Sequence, residues 1–354
     1  MSRPIQAHLN QSALENNLHV ARRAAPSARI MAVVKAEGYG HGLQRVAEAL
    51  SGADGFALLD IQDAVQLREA GFRQTMLLLE GFFDESELTV IAQYDLACVI
   101  HSAWQIAMLD AYPGRKKLDV WLKVNSGMNR LGFTPQQAAQ ALEQVRRHRA
   151  VRDITLMTHF ANADDARGIA EPLALFNDFA APYRMPHSLS NSAALLRYPQ
   201  THGDWVRPGL MLYGASPFAN VSAQQLGLQP AMTLRSRILA VQELRAGDEI
   251  GYGALFRAEH AMRIGIVACG YADGYPRHAP NGTPLLVDGQ TTQTLGRVSM
   301  DMLYADLSKL PQADVGSAVT LWGEGMPVEE VARAAGTASY ELMCALTARV
   351  PVVV

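Results

Sequence analysis

Eight short apolar runs alternate with stretches of helical spacing between residues 29 and 213, and this alternation constrains the fold more than any other feature. Successive strand and helix units of this kind form a parallel sheet, because each helix returns the chain to start the next strand. Eight units favour closure into a (β/α)8 barrel over an open sheet. The predicted strands are IMAVV, GFALL, TMLLL, LACVI, LDVWLKV, DITLM, HSLS and GLMLY.

The pattern changes near residue 230, beyond which the apolar runs are strand-like and joined by short turns. One helical stretch, VEEVARAA, follows Pro327 and stops at Gly336, and another helix is expected from Tyr340. We therefore predict an α/β chain of two domains, with a (β/α)8 barrel in residues 1–230 and a mainly β domain in residues 231–354.

Capping residues mark several helix boundaries. Thr134 and Gln137 have the spacing of a capping box, and the helix that they begin is expected to run to about Arg147. Asp60 can likewise cap a helix that Gly71 ends.

Charge and composition exclude several classes of function. The formal charge of −3, from 31 basic and 34 acidic side chains, provides no basic stripe for nucleic acid. No segment approaches the roughly 18 consecutive apolar residues of a membrane span. Three separated cysteines, Cys98, Cys269 and Cys344, suggest neither disulfides nor a metal cluster, and we interpret them as buried thiols. We expect a cytoplasmic protein that binds neither nucleic acid, membrane nor metal.

Lys35 stands at the carboxyl end of the first predicted barrel strand, where barrel enzymes build their active sites. A lysine that follows an apolar strand is partly desolvated, which leaves more neutral amine to attack a carbonyl as in Schiff-base formation. The alternative is a lysine that only extends its ammonium to solvent. The glycine-rich loop AEGYGHG that follows is either an anion-binding loop, with Tyr39 as a further donor, or a tight turn.

Nine motifs together resemble those of the alanine racemases, bacterial pyridoxal-5′-phosphate enzymes, and the resemblance covers essentially the whole chain. The motifs are VVKAEGYGHG, LKVNSGMNRLGF, LMTHFA, SLSNSAA, WVRPGLMLYG, IGYGALF, GYADGYPR, GRVSMDM and SYELMCAL. The resemblance implies an (α/β)8 barrel followed by a β domain. It also implies pyridoxal phosphate as cofactor, alanine as substrate, and a homodimer in which each site is completed by the partner's second domain.

The family roles fall on matching residues. Lys35 would carry the cofactor as a Schiff base and act as base on one face of the substrate α-carbon, and Tyr252 of the other subunit would serve the opposite face. Two bases on opposite faces are what stereoinversion requires. Taken alone, Tyr252 is better explained as a strand aromatic packed beside a glycine.

The resemblance also implies a cofactor-binding set. Arg207 would donate to the pyridine nitrogen and, by keeping its proton, favour racemisation over transamination. His159 would lie beside the ring and hydrogen-bond Arg207, although a lone histidine there is also consistent with a core role. The remaining implied contacts, mostly to the phosphate, are Tyr39, Asn191, Ser192, Gly209, Leu210 and Tyr340.

Substrate recognition is implied for three residues. Arg130 would contact the phenolic oxygen of the cofactor and the substrate carboxylate, and Met300 of the partner would offer a backbone N–H. Tyr271, with Tyr340, would narrow the pocket to small amino acids. Lys123 matches a lysine that is often carbamylated in the family. Here NSG replaces the common DTG, so an unmodified buried lysine is the alternative to a carbamate at this position.

Three other functions share parts of this pattern. A racemase of broader specificity has the same chemistry. A barrel-fold decarboxylase would normally place an acid where Arg207 stands. A non-catalytic pyridoxal-phosphate carrier would lack residues 231–354. The sequence does not distinguish D-alanine biosynthesis from D-alanine breakdown.

Overall fold

The computed structural model describes residues 3–354 and contains the closed barrel of eight parallel strands that the alternation predicts. The strands, numbered with the rest of the chain, are β2 Arg29–Val33, β3 Gly55–Leu58, β4 Thr75–Leu78, β5 Ala97–Ile100, β6 Leu118–Lys123, β7 Val151–Met157, β8 His187–Ser188 and β9 Trp205–Val206. Pairing of β9 with β2 closes the barrel.

The helices around the barrel are Gln11–Ala24, Leu43–Ala49, Ile61–Glu69, Glu85–Gln93, Ala103–Leu109, Pro135–Arg147, Ala170–Ala180 and Ser192–Arg197. The predicted capping box is confirmed. The Thr134 side chain accepts from the Gln137 N–H, and the Gln137 side chain accepts from the Thr134 N–H. Asp60 accepts from the Gln62 N–H, as predicted for that helix.

The eighth strand was predicted in the wrong place. GLMLY forms a short 3-10 helix, Leu210–Tyr213, and the barrel is closed instead by Trp205–Val206 just before it. All four residues of the 3-10 helix are buried. A short buried apolar run has the same composition in a strand and in a helical turn, so periodicity alone does not separate them.

The second sheet has eight strands. They are β1 Gln6–Leu9, β10 Met232–Leu244, β13 Met262–Val267, β14 Pro284–Val287, β15 Gln290–Leu295, β16 Leu303–Asp306, β17 Ala318–Trp322 and β18 Val352–Val353; β11 Glu249–Ile250 and β12 Phe256–Arg257 form a separate hairpin. The predicted helices are present as Val328–Ala335, ended by Gly336, and Ser339–Cys344.

The first strand of the chain belongs to this second sheet and not to the barrel. Residues 6–9 pair antiparallel with β10 and parallel with β18, and β18 lies at the other end of the sequence. The second sheet otherwise starts at Met232, close to the division predicted at residue 230. Residues 6–9 thus pair within the second sheet, although they fall in the range 1–230 predicted for the barrel domain. A four-residue strand carries no sign of a partner so distant in sequence.

The cysteines follow the prediction only in part. Cys98 and Cys269 are buried, whereas Cys344, the last residue of the last helix, is exposed, and all three are free. Within residues 3–354 no helix has both the length and the apolar character needed to cross a membrane.

Candidate active site

A cavity of about 410 Å³ lies at the carboxyl end of the barrel strands. Lys35 enters it just after β2, Lys123 from the end of β6, and Arg207 just after β9. All ten residues predicted to bind the cofactor meet here, although they are spread over most of the chain. The predicted residues that line the cavity are Lys35, Tyr39, Lys123, Arg130, His159, Asn191, Ser192, Arg207, Gly209, Leu210 and Tyr340.

Lys35 and Tyr39 are joined by a left-handed turn. Residues 36–39 all have φ between +52° and +58°, which for residues with side chains is a strained conformation costing roughly 1–2 kcal/mol each. A turn with nearly helical spacing places residues i and i+4 on one side, so that both side chains face the same cavity. Strain of this kind persists only where surrounding contacts impose it.

Close packing requires glycine at positions in this segment. This favours the tight turn over the anion-binding loop, the two alternatives left open by the sequence. A Cβ atom on Gly40 would stand 2.2 Å from the Met343 carbonyl oxygen, and one on Gly38 would stand 2.7 Å from Val46. The Gly38 N–H donates to the Val34 carbonyl. The Gly42 N–H likewise donates to the Glu37 carbonyl, so neither of these two N–H groups is free for an anion.

Positive charge dominates the cavity. Lys35, Lys123, Arg130 and Arg207 line it together with a single carboxylate, Glu80. Burial, followed by the positive charge of Arg130, lowers the pKa of Lys35. Burial, followed by Arg207 and Arg130, lowers the pKa of Lys123 to about 8. The site thus favours neutral amines and an anionic ligand.

Arg207 is buried, with only 4% of its surface exposed. Its guanidinium donates from Nη1 to Ser188 Oγ at 2.6 Å and from Nη2 to the Thr158 carbonyl at 2.5 Å. Its Nε–H makes no hydrogen bond to the residues that the structure describes. Burial lowers the pKa of Arg207 to about 10, so the side chain stays protonated at neutral pH.

His159 does not make the contact expected of it. No hydrogen bond joins it to Arg207 within the described chain, because the Nη donors of Arg207 are directed at Ser188 and at backbone carbonyls. Burial, and then the charge of Arg207, lowers the pKa of His159 well below its usual range. His159 is therefore neutral beside the cavity.

Neutral donors cluster at one wall. Ser192 Oγ accepts from the Gly209 N–H at 2.9 Å and from the Met211 N–H at 3.4 Å, which leaves its hydroxyl proton for another acceptor. The Leu210 N–H has no acceptor among residues 3–354. A Cβ atom on Gly209 would stand 2.7 Å from Tyr39 Oη, so only glycine admits the tyrosine at this position.

Two tyrosine rings complete this wall, with the centroids of Tyr39 and Tyr340 5.6 Å apart. Burial raises the pKa of Tyr340 to about 12 and that of Tyr39 further, so both hydroxyls are donors at neutral pH. Asn191 differs, since its amide accepts from the Ala194 N–H and donates to the Phe160 carbonyl. It caps the helix that begins at Ser192 and thereby positions that serine.

Asn125 stands where the family motif has an acid. Its side chain makes no hydrogen bond to Lys123 in the described structure. Its Oδ1 accepts from the backbone N–H groups of Gly127 and Asn129, and its Nδ2 donates to Asn129. Asn125 therefore holds the turn between Lys123 and Arg130, and the replacement of an acid by an amide leaves that turn intact.

The other predicted residues lie elsewhere in the same chain. Tyr252, Tyr271 and Met300 line a surface groove of about 730 Å³ on the second domain, with Arg277 and Arg297. Tyr252 is 73% exposed and Met300 is 52% exposed. The structure does not bring them to Lys35.

Sequence reasoning missed Glu80, which lines the cavity, and His41, which lies outside the cavity lining but supports the left-handed turn. Glu80 lines the cavity as its only carboxylate, and its place just beyond β4, in LLLEG, was the available signal. His41 is wholly buried, and burial lowers its pKa to about 4. Its Nδ1 lies 2.9 Å from the Tyr39 carbonyl oxygen, so the neutral ring donates to that oxygen and supports the left-handed turn.

Comparison with known proteins agrees with this geometry over the full chain. Residues 9–217 match the family described as alanine racemase, N-terminal domain, and residues 231–354 match alanine racemase, C-terminal domain. Alanine racemase of Nitrosospira multiformis is 62% identical over 99% of both chains. A protein of Klebsiella aerogenes named alanine racemase, catabolic, is 54% identical over 100% of this chain and 99% of its own.

Solved structures show the same similarity. Biosynthetic alanine racemase from Pseudomonas aeruginosa superposes with a TM-score of 0.97 at 46% identity, covering 99% of each chain. Alanine racemase from Bartonella henselae with covalently bound pyridoxal phosphate superposes with a TM-score of 0.88 at 25% identity, again over 99% of each chain. The chain therefore belongs to the alanine racemase family of amino-acid isomerases.

Proposed function

We propose that this enzyme interconverts L-alanine and D-alanine with pyridoxal 5′-phosphate bound in the barrel cavity and attached to Lys35. Family membership supports the reaction. The observation that carries the assignment of the site is Lys35 itself, a desolvated lysine beside Arg130 in a cavity with one carboxylate. Its lowered pKa increases the share of neutral amine, which is the form that bonds to an aldehyde.

The residues present fit this cofactor. The excess of cations suits its anionic groups, and the free Leu210 N–H with the hydroxyls of Tyr39, Ser192 and Tyr340 suits a phosphate. Arg207 Nε–H is the donor available for a ring nitrogen. When bound, the cofactor withdraws electrons from the α-carbon of an attached amino acid and so acidifies the α-proton.

Two residues of the protein would move the proton. Lys35 Nζ, when it is free as an amine, would accept or return it on one face of the α-carbon, and Tyr252 Oη would do so on the other. Tyr252 is exposed in a groove separate from the cavity that contains Lys35. We therefore assign Tyr252 of a second copy of the chain to each cavity, which makes the enzyme a homodimer with shared sites.

Arg207 would set the type of reaction. A guanidinium with a pKa near 10 donates a hydrogen bond to a ring nitrogen but does not surrender its proton at neutral pH. Keeping that nitrogen unprotonated disfavours transamination as a side reaction. An acidic residue here would protonate the nitrogen, as expected of the barrel-fold decarboxylases.

The substrate would be recognised by its carboxylate and by its size. Arg130 offers a guanidinium from the barrel, and Met300 of the second copy offers a backbone N–H that has no acceptor among the described residues of this chain. Tyr271 and Tyr340 restrict the space for a side chain. One methylene is worth about 1–3 kcal/mol in such a pocket, so serine should react more slowly than alanine but still react.

The cellular setting that we propose is the cytoplasm, with alanine as the small-molecule partner. All three cysteines are free, which suits a reducing compartment.

The test is direct. Purified enzyme supplied with pyridoxal phosphate is incubated with L-alanine, and D-alanine is followed by chiral chromatography. We expect the two enantiomers to reach equal concentrations. Release of carbon dioxide without D-alanine would overturn the proposal in favour of a decarboxylase. Lys116→Ala, an exposed lysine outside the cavity, is the matched control for Lys35→Ala.

A further inference from the structure

Two arginines from opposite ends of the chain lie side by side. Strands β1 and β18 are parallel neighbours with Ala7 opposite Val352. Arg3 and Arg349 precede these two positions by nearly the same number of residues. The register therefore brings both guanidinium groups to the same end of the second sheet.

Both arginines contact a buried carboxylate. The Asp273 side chain is 0% exposed and accepts from Arg3 Nη2 at 3.1 Å and from the Gly270 N–H at 2.9 Å. Arg349 Nε forms an ion pair with its other oxygen at 3.0 Å. A buried carboxylate is costly unless it is paired, so Asp273 fixes where the two arginines lie.

The same arginines also hold a second aspartate. Arg3 donates to the Asp301 carbonyl at 2.7 Å and to its Oδ1 at 3.0 Å, and Arg349 donates to that Oδ1 at 2.6 Å. Each guanidinium therefore bridges Asp273 and Asp301. We call these four residues the terminal clamp.

The terminal clamp holds two loops that touch each other. The Tyr271 N–H donates to the Ser299 carbonyl and the Ala272 N–H to the Met300 carbonyl, each at 3.0 Å. A Cβ atom on Gly270 would stand 2.3 Å from the Met300 carbonyl oxygen, so the loops approach as closely as glycine permits. Tyr271 immediately follows Gly270, and Met300 immediately precedes Asp301.

We propose that Arg3 and Arg349 are positioning residues for substrate recognition, acting through Asp273 and Asp301 on Tyr271 and Met300. The inference rests on the proposed function, in which these two loops complete the cavity of the partner. Among the described residues, no hydrogen bond or ion pair joins the clamp to Lys35 or to Tyr252, although Asp301 and Tyr252 line the same groove. The clamp therefore sets the position of the Met300 N–H and the Tyr271 ring, and leaves the proton-transfer groups in place.

The kinetic consequence is specific. A hydrogen bond to the substrate carboxylate is present both before and during proton transfer, so weakening it raises KM and leaves kcat nearly unchanged. We expect Arg349→Met to raise the KM for alanine about tenfold, with kcat within about threefold of wild type, because small displacements of binding groups have large effects.

Three further variants make this result decisive. Arg349→Lys keeps the charge but lacks the fork that spans two carboxylates, so its KM should lie between wild type and Arg349→Met. Asp301→Asn removes only a half-exposed charge and should raise KM even if Arg349→Met folds poorly. Arg235→Met removes an exposed arginine paired with Glu324 on the same sheet, and should leave KM unchanged. Unchanged KM in both Arg349→Met and Asp301→Asn would overturn the inference.

Hybrid dimers separate a positioning role from general destabilisation. In one hybrid, Arg349→Met is on the chain that also carries Lys35→Ala, so the only intact cavity faces altered loops and KM should rise. In the other hybrid, Arg349→Met is on the chain with intact Lys35, and KM should be that of wild type. Equal KM values in the two hybrids would overturn the inference. An active Lys35→Ala homodimer would instead overturn the proposed function.

Discussion

The barrel cavity and the groove of the second domain contain the two halves of the proposed site and differ in exposure to solvent. Arg207 in the barrel is 4% exposed and anchored by hydrogen bonds to its neighbours, whereas Tyr252 in the groove is 73% exposed. Burial in the barrel lowers the pKa values of Lys35, Lys123 and His159. One chain therefore tunes the electrostatics of its cavity alone, and leaves Tyr252, the proposed second acid/base group, at the surface.

This contrast indicates that the two regions contribute differently to the proposed site. Fixed dipoles and charges stabilise a reaction most where water is excluded and little reorganisation is needed, as in the barrel. Tyr252, Tyr271 and Met300 are exposed aromatic and apolar groups, and contiguous groups of this kind are typical of surfaces that bind another molecule. Under the proposed function, that molecule is a second copy of the same chain.

The largest effect should come from mixing two inactive proteins. Lys35→Ala and Tyr252→Phe homodimers each lack one acid/base group at both sites. Hybrid dimers of the two regain one site with intact Lys35 and Tyr252, so random mixing should restore about a quarter of wild-type activity if sites are shared across a twofold interface. Activity that stays at the level of the separate variants would contradict the contrast between the two regions.

Tyr252→Phe alone should lower kcat by about 10²- to 10⁴-fold, which is the usual contribution of a positioned acid/base group. Exchange of the α-proton with deuterium, followed separately for L-alanine and D-alanine, should fall much more for one enantiomer. A matched Tyr304→Phe variant in the same groove should retain activity. Equal loss for both enantiomers would mean that Tyr252 does not serve one face.

Ser192→Ala should weaken cofactor binding by about tenfold to a hundredfold, since a hydrogen bond to a charged group contributes about 1.5–3 kcal/mol. Titration of apoenzyme with pyridoxal phosphate measures this change. Ser190→Ala is the control, because Ser190 bonds to Thr201 and does not line the cavity. Similar losses in both variants would indicate a general effect on folding.

The smallest effect should concern Lys123. Its pKa near 8 means that the amine is largely neutral above about pH 8 and an ammonium below it. Only the neutral amine reacts with carbon dioxide, so ¹³C-labelled bicarbonate should produce a carbamate NMR signal that grows from pH 7 to pH 9, about one unit to each side of that pKa. Lys123→Met should abolish the signal and lower kcat/KM less than about tenfold, as expected for one oriented ion pair. If the wild-type enzyme gives no carbamate signal after incubation with ¹³C-labelled bicarbonate, Lys123 is unmodified.

Parts of the fold were predictable because they depend on local patterns. The alternation gave the barrel, and Thr134 with Gln137 marked a helix start that the structure contains. The left-handed turn was not predictable, since Ala36 and Glu37 have no preference for that conformation and contacts from distant residues impose it. The position of the last barrel strand was missed because Leu210–Tyr213 is equally apolar in either conformation.

The site was predictable mainly through the resemblance. Position alone singled out Lys35, but no local pattern distinguished Tyr252 from an ordinary strand aromatic. Arg3 and Arg349 were invisible, because they meet only through the pairing of the first and last strands. Contacts between the ends of a chain depend on the whole topology, which local sequence does not encode.

The placement of the first strand has a consequence for biosynthesis of the protein. β1 leaves the ribosome first, but its partner β10 follows only after roughly 220 further residues, which takes roughly ten to forty seconds at ordinary rates of translation. The barrel strands emerge within that interval, so the barrel can close while β1 waits unpaired. Its other neighbour, β18, is translated more than 100 residues after the end of β10. The second sheet is therefore completed later than the barrel, and a chain truncated before β18 is left with an exposed strand edge that invites aggregation.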